Sequence, residues 1–104
     1  MCIRDRHNAV SVIWEEAKAG NTYTDEQLAD VWSASLYAAT SARDMVSEIY
    51  AAAGTVSLYT ENIIERAHRD IYAVLQHGIV QPHWMNQAGM AYLGIKPKGP
   101  MFRI

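Results

Sequence analysis

Residues 66–78 read "RAHRDIYAVLQHG". At about 100° per residue, a helix through this stretch sets Arg66, Asp70, Ala73 and His77 in a line, with Arg69 beside them. Ile64, Ala67, Ile71, Val74, Leu75 and Gly78 fall on the opposite side. Arginine presents a rigid fork of donors suited to carboxylate or phosphate. Asp70, one turn on, can hold the Arg66 guanidinium in place, and His77 is of the residue type that titrates near neutrality and moves protons. Ala73 leaves a gap between the charged group and the histidine, wide enough in principle for a planar ligand. The same stripe is also what a solvated, salt-bridged helix face looks like, and both readings stand at this point.

The elements around this stretch are helical. The chain has 104 residues, enough for one small domain. Half are hydrophobic, 19% are charged, and the net charge of −2 comes from interspersed signs, which excludes a nucleic-acid footprint or a polybasic membrane contact. No apolar run approaches the roughly 18 residues of a membrane-spanning helix, and no secretory signal is visible. Cys2 is the single cysteine, so no internal disulfide can form and a cytoplasmic setting is expected.

A first helix is expected from about His7 to Ala19, ending at Gly20-Asn21. A second opens at Thr24, where Thr24 and Gln27 form a capping box and Asp25 and Glu26 occupy the first turn. It should run to Ala53 and stop at Gly54, about 45 Å in length. Its seam is Leu28, Trp32, Ser35, Ala39, Ala42, Val46, Ile49 and Ala53. A third helix is expected from Thr60 or Glu61 to about Val80, where Pro82 interrupts it, and a fourth from Pro82 to Leu93 before Gly94. The sum is an all-α, antiparallel helical bundle spanning residues 7–94, with an extended tail over residues 95–104. The long second helix lacks partners of matching length. The bundle therefore reads as an incomplete four-helix unit that leaves apolar surface exposed or buries it against another chain.

"MCIRDR" has no helical or strand pattern. One back-translation of MCIRD resembles a transposon-end adapter used in DNA library preparation, so residues 1–6 are expected to be an adapter-derived scar at the head of a longer protein's tail. The upstream source DNA tests this directly. His68 lies off both main faces of its helix, His83 follows Pro82 in the first turn of the last helix, and His7 adjoins the expected scar. His77 and His83 share no helical spacing, so no metal site is expected. Trp14, Trp32 and Trp84 read as core or interface residues, and Met85, Met90 and Met101 as gap fillers. There is no phosphate-binding glycine loop and no serine nucleophile motif.

The stretch "YAAAGTVSLYTENIIERAHRDIYAVLQHG", followed by "AGMAYLG", resembles the C-terminal helical domain of the acyl-CoA dehydrogenase superfamily. Within it the chain is most similar to the two-component flavin-dependent monooxygenases. The family pattern of an arginine, then Arg-Asp or Arg-Asn, then a histidine eight residues beyond the second arginine is met by Arg66, Arg69, Asp70 and His77. Gly54 matches the glycine turn before the helix, and Ala88, Gly89, Leu93 and Gly94 match the closing motif. Typical dehydrogenases place the glutamate of a Glu-Gly-Thr motif where this chain has Gly78, and His77 stands just before it.

The resemblance implies a flavin cofactor, reduced FMN or FAD, delivered by a separate flavin reductase. It implies hydroxylation of an aromatic or heteroatom small-molecule substrate, with His77 in acid/base work or in stabilising the flavin peroxide. It places Arg66, Arg69, Asp70, Ala73 and Gly54 around the pocket, and it implies a homotetramer with these domains at its centre. The N-terminal domains that complete such a pocket are not in this chain, so it should be inactive alone. Two alternatives remain at this level: an acyl-CoA dehydrogenase with a displaced base, and a non-catalytic helical oligomerisation module.

Overall fold

The computed structural model describes residues 2–99, with Cys2 described for its backbone only. Met101 and the end of the expected tail lie outside the described residues. Among those described there are four α-helices and no strand: α1 (Cys2–Lys18), α2 (Asp25–Ala53), α3 (Ile63–Val74) and α4 (His83–Tyr92). Single 3-10 turns occupy Gly54–Leu58 and Gly78–Val80. The all-α fold class is as expected. No described helix is long and apolar enough to cross a membrane.

The start of α2 is set by the capping box. The Gln27 N–H donates to Thr24 Oγ1 at 3.1 Å, and the Thr24 N–H donates to Gln27 Oε1 at 2.8 Å. Two amide groups that would otherwise go unpaired at the helix end are thereby satisfied. Thr24→Ala removes one of these bonds and should cost about 1 kcal/mol, read as a shift in the denaturant midpoint with an unchanged m-value. The helix stops at Gly54, whose φ of +67° is the left-handed conformation that side chains disfavour. Ser57, fully buried, folds the following turn back onto this end: its Oγ lies 2.6 Å from the Gly54 carbonyl and 3.3 Å from the Tyr50 carbonyl.

Two boundaries differ from expectation. Helix α1 starts at Cys2 rather than near His7, because nothing in residues 3–6 breaks a helix and Asp5 sits in its favourable first turn. Helix α3 starts at Ile63, where the Asn62 side chain accepts the Ile64 N–H at 2.8 Å, and it ends at Val74, about six residues before the expected Val80. Beyond Val74 the backbone tightens into three-residue bonds, Gln76 N–H to Ala73 O and His77 N–H to Val74 O. The turn ahead of Pro82, and not the proline, terminates this helix.

The described chain divides into two compact units. One takes the residues up to Ala38 and those from Pro82 onward. Its core is Leu28, Ala29 and Ala88, with Ile13, Tyr23, Trp32 and Ala91 packed against it. Leu36 and Trp84 are buried as well, and the Trp32 and Trp84 rings stack with centroids 6.4 Å apart. Trp14 is 62% exposed, so it is no part of this core. The segment after α4 has no regular structure, as expected of the tail, yet it is pinned. Lys96 Nζ lies 2.8 Å from Asp25 Oδ2, the Lys98 N–H donates to Gln87 Oε1 at 2.8 Å, and Gly99 lies so close to the Trp84 ring that a Cβ there would overlap it. The Tyr92 hydroxyl donates to Asp30 Oδ1 at 2.6 Å. Burial, and then this bond, push the Tyr92 phenol above its ordinary value, so it stays a neutral donor well past neutrality.

The second unit is Ala39–Gln81. In it the His68 ring stacks on Tyr50 at 4.0 Å and tilts against Tyr72 at 5.0 Å. Tyr72 in turn bonds Ser47 through its hydroxyl at 3.2 Å. His68, which the helical wheel left unassigned, thus anchors α3 to the second half of α2.

Candidate active site

Helix α3 buries Ile64, Ile71 and Leu75 partway and turns its charged residues outward. Arg66 Nε lies 3.6 Å from Asp70 Oδ2, with both side chains more than half exposed. Ile63, Arg66, Ala67 and Asp70 together line a shallow groove of about 240 Å³. Ala67, expected on the buried side, therefore belongs to the floor of this groove. Its volume falls short of the roughly 300–1,000 Å³ usual for a ligand pocket, so other surfaces must complete any site built on it.

Arg69 does not join this group. Its Nε lies 3.6 Å from Glu65 Oε1, one turn back on the helix. Glu65 was not singled out from sequence, although its four-residue spacing from Arg69 carries the signal. Its other oxygen, Oε2, is buried without a hydrogen-bond partner. The exposed Arg66–Asp70 pair contributes only about 0.3–0.5 kcal/mol, so stability does not explain its place on the helix. Ala73 is exposed, and Gly54 is exposed at the end of α2.

His77 has left the helix. Its backbone is extended, with φ −68° and ψ 138°, and it caps the Gly78–Val80 turn. The Ile79 N–H donates to His77 Nδ1 at 3.2 Å, and the imidazole is exposed. The straight line from Arg66 through Ala73 to His77 is thus broken after Val74. Arg66 and Asp70 share one groove, Arg69 faces Glu65, and His77 stands on a separate turn. Gln81 was also missed: its side-chain amide donates to the Leu75 carbonyl at 3.1 Å and the His77 carbonyl at 3.2 Å. No local pattern in the sequence announces that role.

Residues 6–82 match the family model for the acyl-CoA dehydrogenase C-terminal domain, a span that takes in α2, α3 and both 3-10 turns. The chain belongs to the acyl-CoA dehydrogenase family. Among its relatives are an indole-3-acetate monooxygenase of Acinetobacter baumannii and a pigment production hydroxylase of Rhodococcus erythropolis. The first is 29% identical over 91 residues, covering 88% of this chain and 23% of the relative. The second is 29% identical over 93 residues, covering 88% of this chain and 24% of the relative. The acyl-CoA dehydrogenase domain described here therefore spans about a quarter of the length of the curated relatives it matches. No solved structure matches it at the same stringency. The family match agrees with the all-α fold, and the names of both relatives agree with the monooxygenase branch of the resemblance.

Proposed function

We propose that this domain is the C-terminal part of a flavin-dependent monooxygenase that hydroxylates an aromatic or heteroatom substrate with reduced flavin and dioxygen. The observation that carries this reading is Gly78. By the resemblance it stands where the family's dehydrogenases place a glutamate base, and a glycine has no side chain to take a proton. The names of the two relatives point the same way.

The residues present suit a flavin. Arg66 offers paired N–H donors, Asp70 an acceptor, and Ile63 and Ala67 an apolar floor between them. These chemistries match a ring system with a carbonyl-bearing edge and a hydrocarbon face. Arg66 and Asp70 would hold it from the groove, Arg69 and Ala73 would approach it from outside that groove, and the Gly54 turn would contribute from a neighbouring subunit. Reduced flavin supplies the two electrons that leave one oxygen atom of dioxygen in the product and the other in water. His77 supports this chemistry by holding a proton at the ring nitrogen not engaged by Ile79.

The parent assembles as a homotetramer through these domains, draws reduced FMN or FAD from a separate reductase, and works in the cytoplasm. Large apolar side chains left uncovered support the assembly: Ile63 is 80% exposed, Tyr59 70% and Leu58 66%. The groove on α3 is small and open, which supports the view that the chain is inactive by itself. The parent protein tests the reading when it is given reduced flavin, oxygen and candidate phenols, and separately acyl-CoA with an electron acceptor. Hydroxylated product in the first assay is the expected result, and turnover confined to the second rejects it. A purely structural role in assembly is the second reading, favoured by the exposed four-residue ion pair of Arg66 and Asp70 on α3.

A further inference from the structure

We propose that Gln81 is a positioning residue for His77, and that together with the Ile79 amide it holds the imidazole as the tautomer protonated at Nε2. The use of that proton on an oxygen-bearing ligand rests on the monooxygenase reading above, whereas the tautomer does not.

Helix α3 ends with carbonyl groups that have no partner along the helix, as every helix does. Here they are not left to water. The half-buried Gln81 side chain folds back, and its single NH₂ group donates to Leu75 O at 3.1 Å and to His77 O at 3.2 Å. A carboxamide nitrogen carries two hydrogens, so both are used. The backbone of His77 is bound elsewhere too. Its N–H donates to Val74 O at 3.0 Å, and its carbonyl also accepts the Val80 N–H at 3.0 Å. The turn is thus closed around His77 from both sides, and Gln81 is the side chain that closes it.

Closure of the turn fixes the ring. It brings the Ile79 N–H to 3.2 Å from His77 Nδ1. An amide proton facing a ring nitrogen requires that nitrogen to be an acceptor, so the neutral imidazole carries its hydrogen at Nε2. Two consequences follow for chemistry. Neutral His77 presents an N–H donor on the side away from its own turn. Taking up a second proton must occur at Nδ1, and that breaks the bond to Ile79. His77 is therefore arranged to donate a hydrogen bond through Nε2 to an oxygen atom of a bound ligand, and not to accept a proton there.

The test is the ¹⁵N spectrum of the imidazole in the 104-residue chain, which separates the two tautomers by their nitrogen shifts and needs no flavin. A single Nε2–H signature for His77 is expected in the unmodified protein at a pH where the ring is neutral. Gln81→Ala should lose it, giving exchange-averaged shifts of a mixture, with far-UV circular dichroism unchanged. Gln81→Glu keeps the side-chain length and replaces both donors by acceptors. It should show the same loss and carries the test if Gln81→Ala does not fold. An Nδ1–H or mixed signature in the unmodified protein overturns the tautomer assignment, and a signature untouched by both substitutions overturns the role of Gln81. If these results come out as expected while the parent turns over only acyl-CoA, the monooxygenase reading fails and the positioning of His77 by Gln81 stands; if His77→Ala leaves hydroxylation by the parent unchanged, it is the use of the Nε2 proton in the reaction that fails.

Discussion

His77→Ala in the flavin-loaded parent protein should lower the rate of product hydroxylation by about 10²-fold or more, the usual contribution of a positioned acid or base. The ring sits on a turn closed by backbone bonds at Val74 and Val80 and by the Gln81 amide, with the Ile79 N–H donating to the ring itself. That constraint is more than a solvated histidine needs. Replacing the exposed imidazole should leave packing intact, so the assembly and the flavin affinity proposed for the parent should survive. The loss should appear in kcat more than in KM, because the proton is needed during turnover and not for capture of substrate. His77→Gln, which keeps an N–H donor but cannot hold two protonation states, should recover part of the rate if hydrogen-bond donation is the main role. Product formation and reduced-flavin consumption measured together give the decisive ratio. If both remain at the unmodified level, α3 is an assembly surface and the structural reading is correct.

Trp84→Ala should destabilise its unit by about 3–5 kcal/mol, the range for truncating a buried large aromatic. The indole is only 6% exposed, stacks on Trp32, and forms the surface against which Gly99 is pressed. Removing it empties the space between α4 and α2 and also takes away the seat of the chain after Lys98. A domain of this size has a total stability of about 5–15 kcal/mol, so the variant should be largely unfolded or melt tens of degrees lower. Urea denaturation followed by far-UV circular dichroism measures it. Trp14→Ala, at a position 62% exposed, is the matching control and should stay within about 0.5 kcal/mol of the parent value. Equal losses at the two positions would mean that Trp84 is not a core residue.

Much of the architecture could be read from the chain because it depends on short-range chemistry. Thr24 and Gln27 sit three residues apart and satisfy each other wherever the rest of the protein lies. Gly54 and Gly94 close their helices because their backbones tolerate positive φ. The seam of α2 was read less well. Ile49 is 49% exposed, while Leu36 and Ala29, which lie beside the seam, are buried. A periodic pattern shows that a helix has an apolar side, but neighbours decide which part of that side is covered. The candidate site was legible as a set of residue types and not as an arrangement. Arg66 and Asp70 do meet, since one turn separates them. Arg69 had an equally spaced acid in Glu65 and took it.

The wheel carried His77 into the same line only because it assumed that α3 continues. The helix stops at Val74 because the Gln81 side chain and a set of tightened backbone bonds compete successfully with about six more residues of helical ladder. Propensity and a downstream proline do not report such a competition. It depends on where a side chain folds back once the turn has formed.

From its sequence alone this protein is committed to helices, to where α2 begins and ends, and to the set of arginines, aspartate and histidine that make up the candidate site. Those properties arise from bonds spanning three or four residues and from residue identity. Only the tertiary structure placed His68 between two tyrosines, tied Tyr92 to Asp30 across 62 residues and Lys96 to Asp25 across 71, and lifted His77 off the helix onto its own turn. The first three follow from the meeting of residues distant in the chain. The last follows from a carboxamide folding back on the end of α3, and neither kind of contact is encoded in the spacing of the residues that make it.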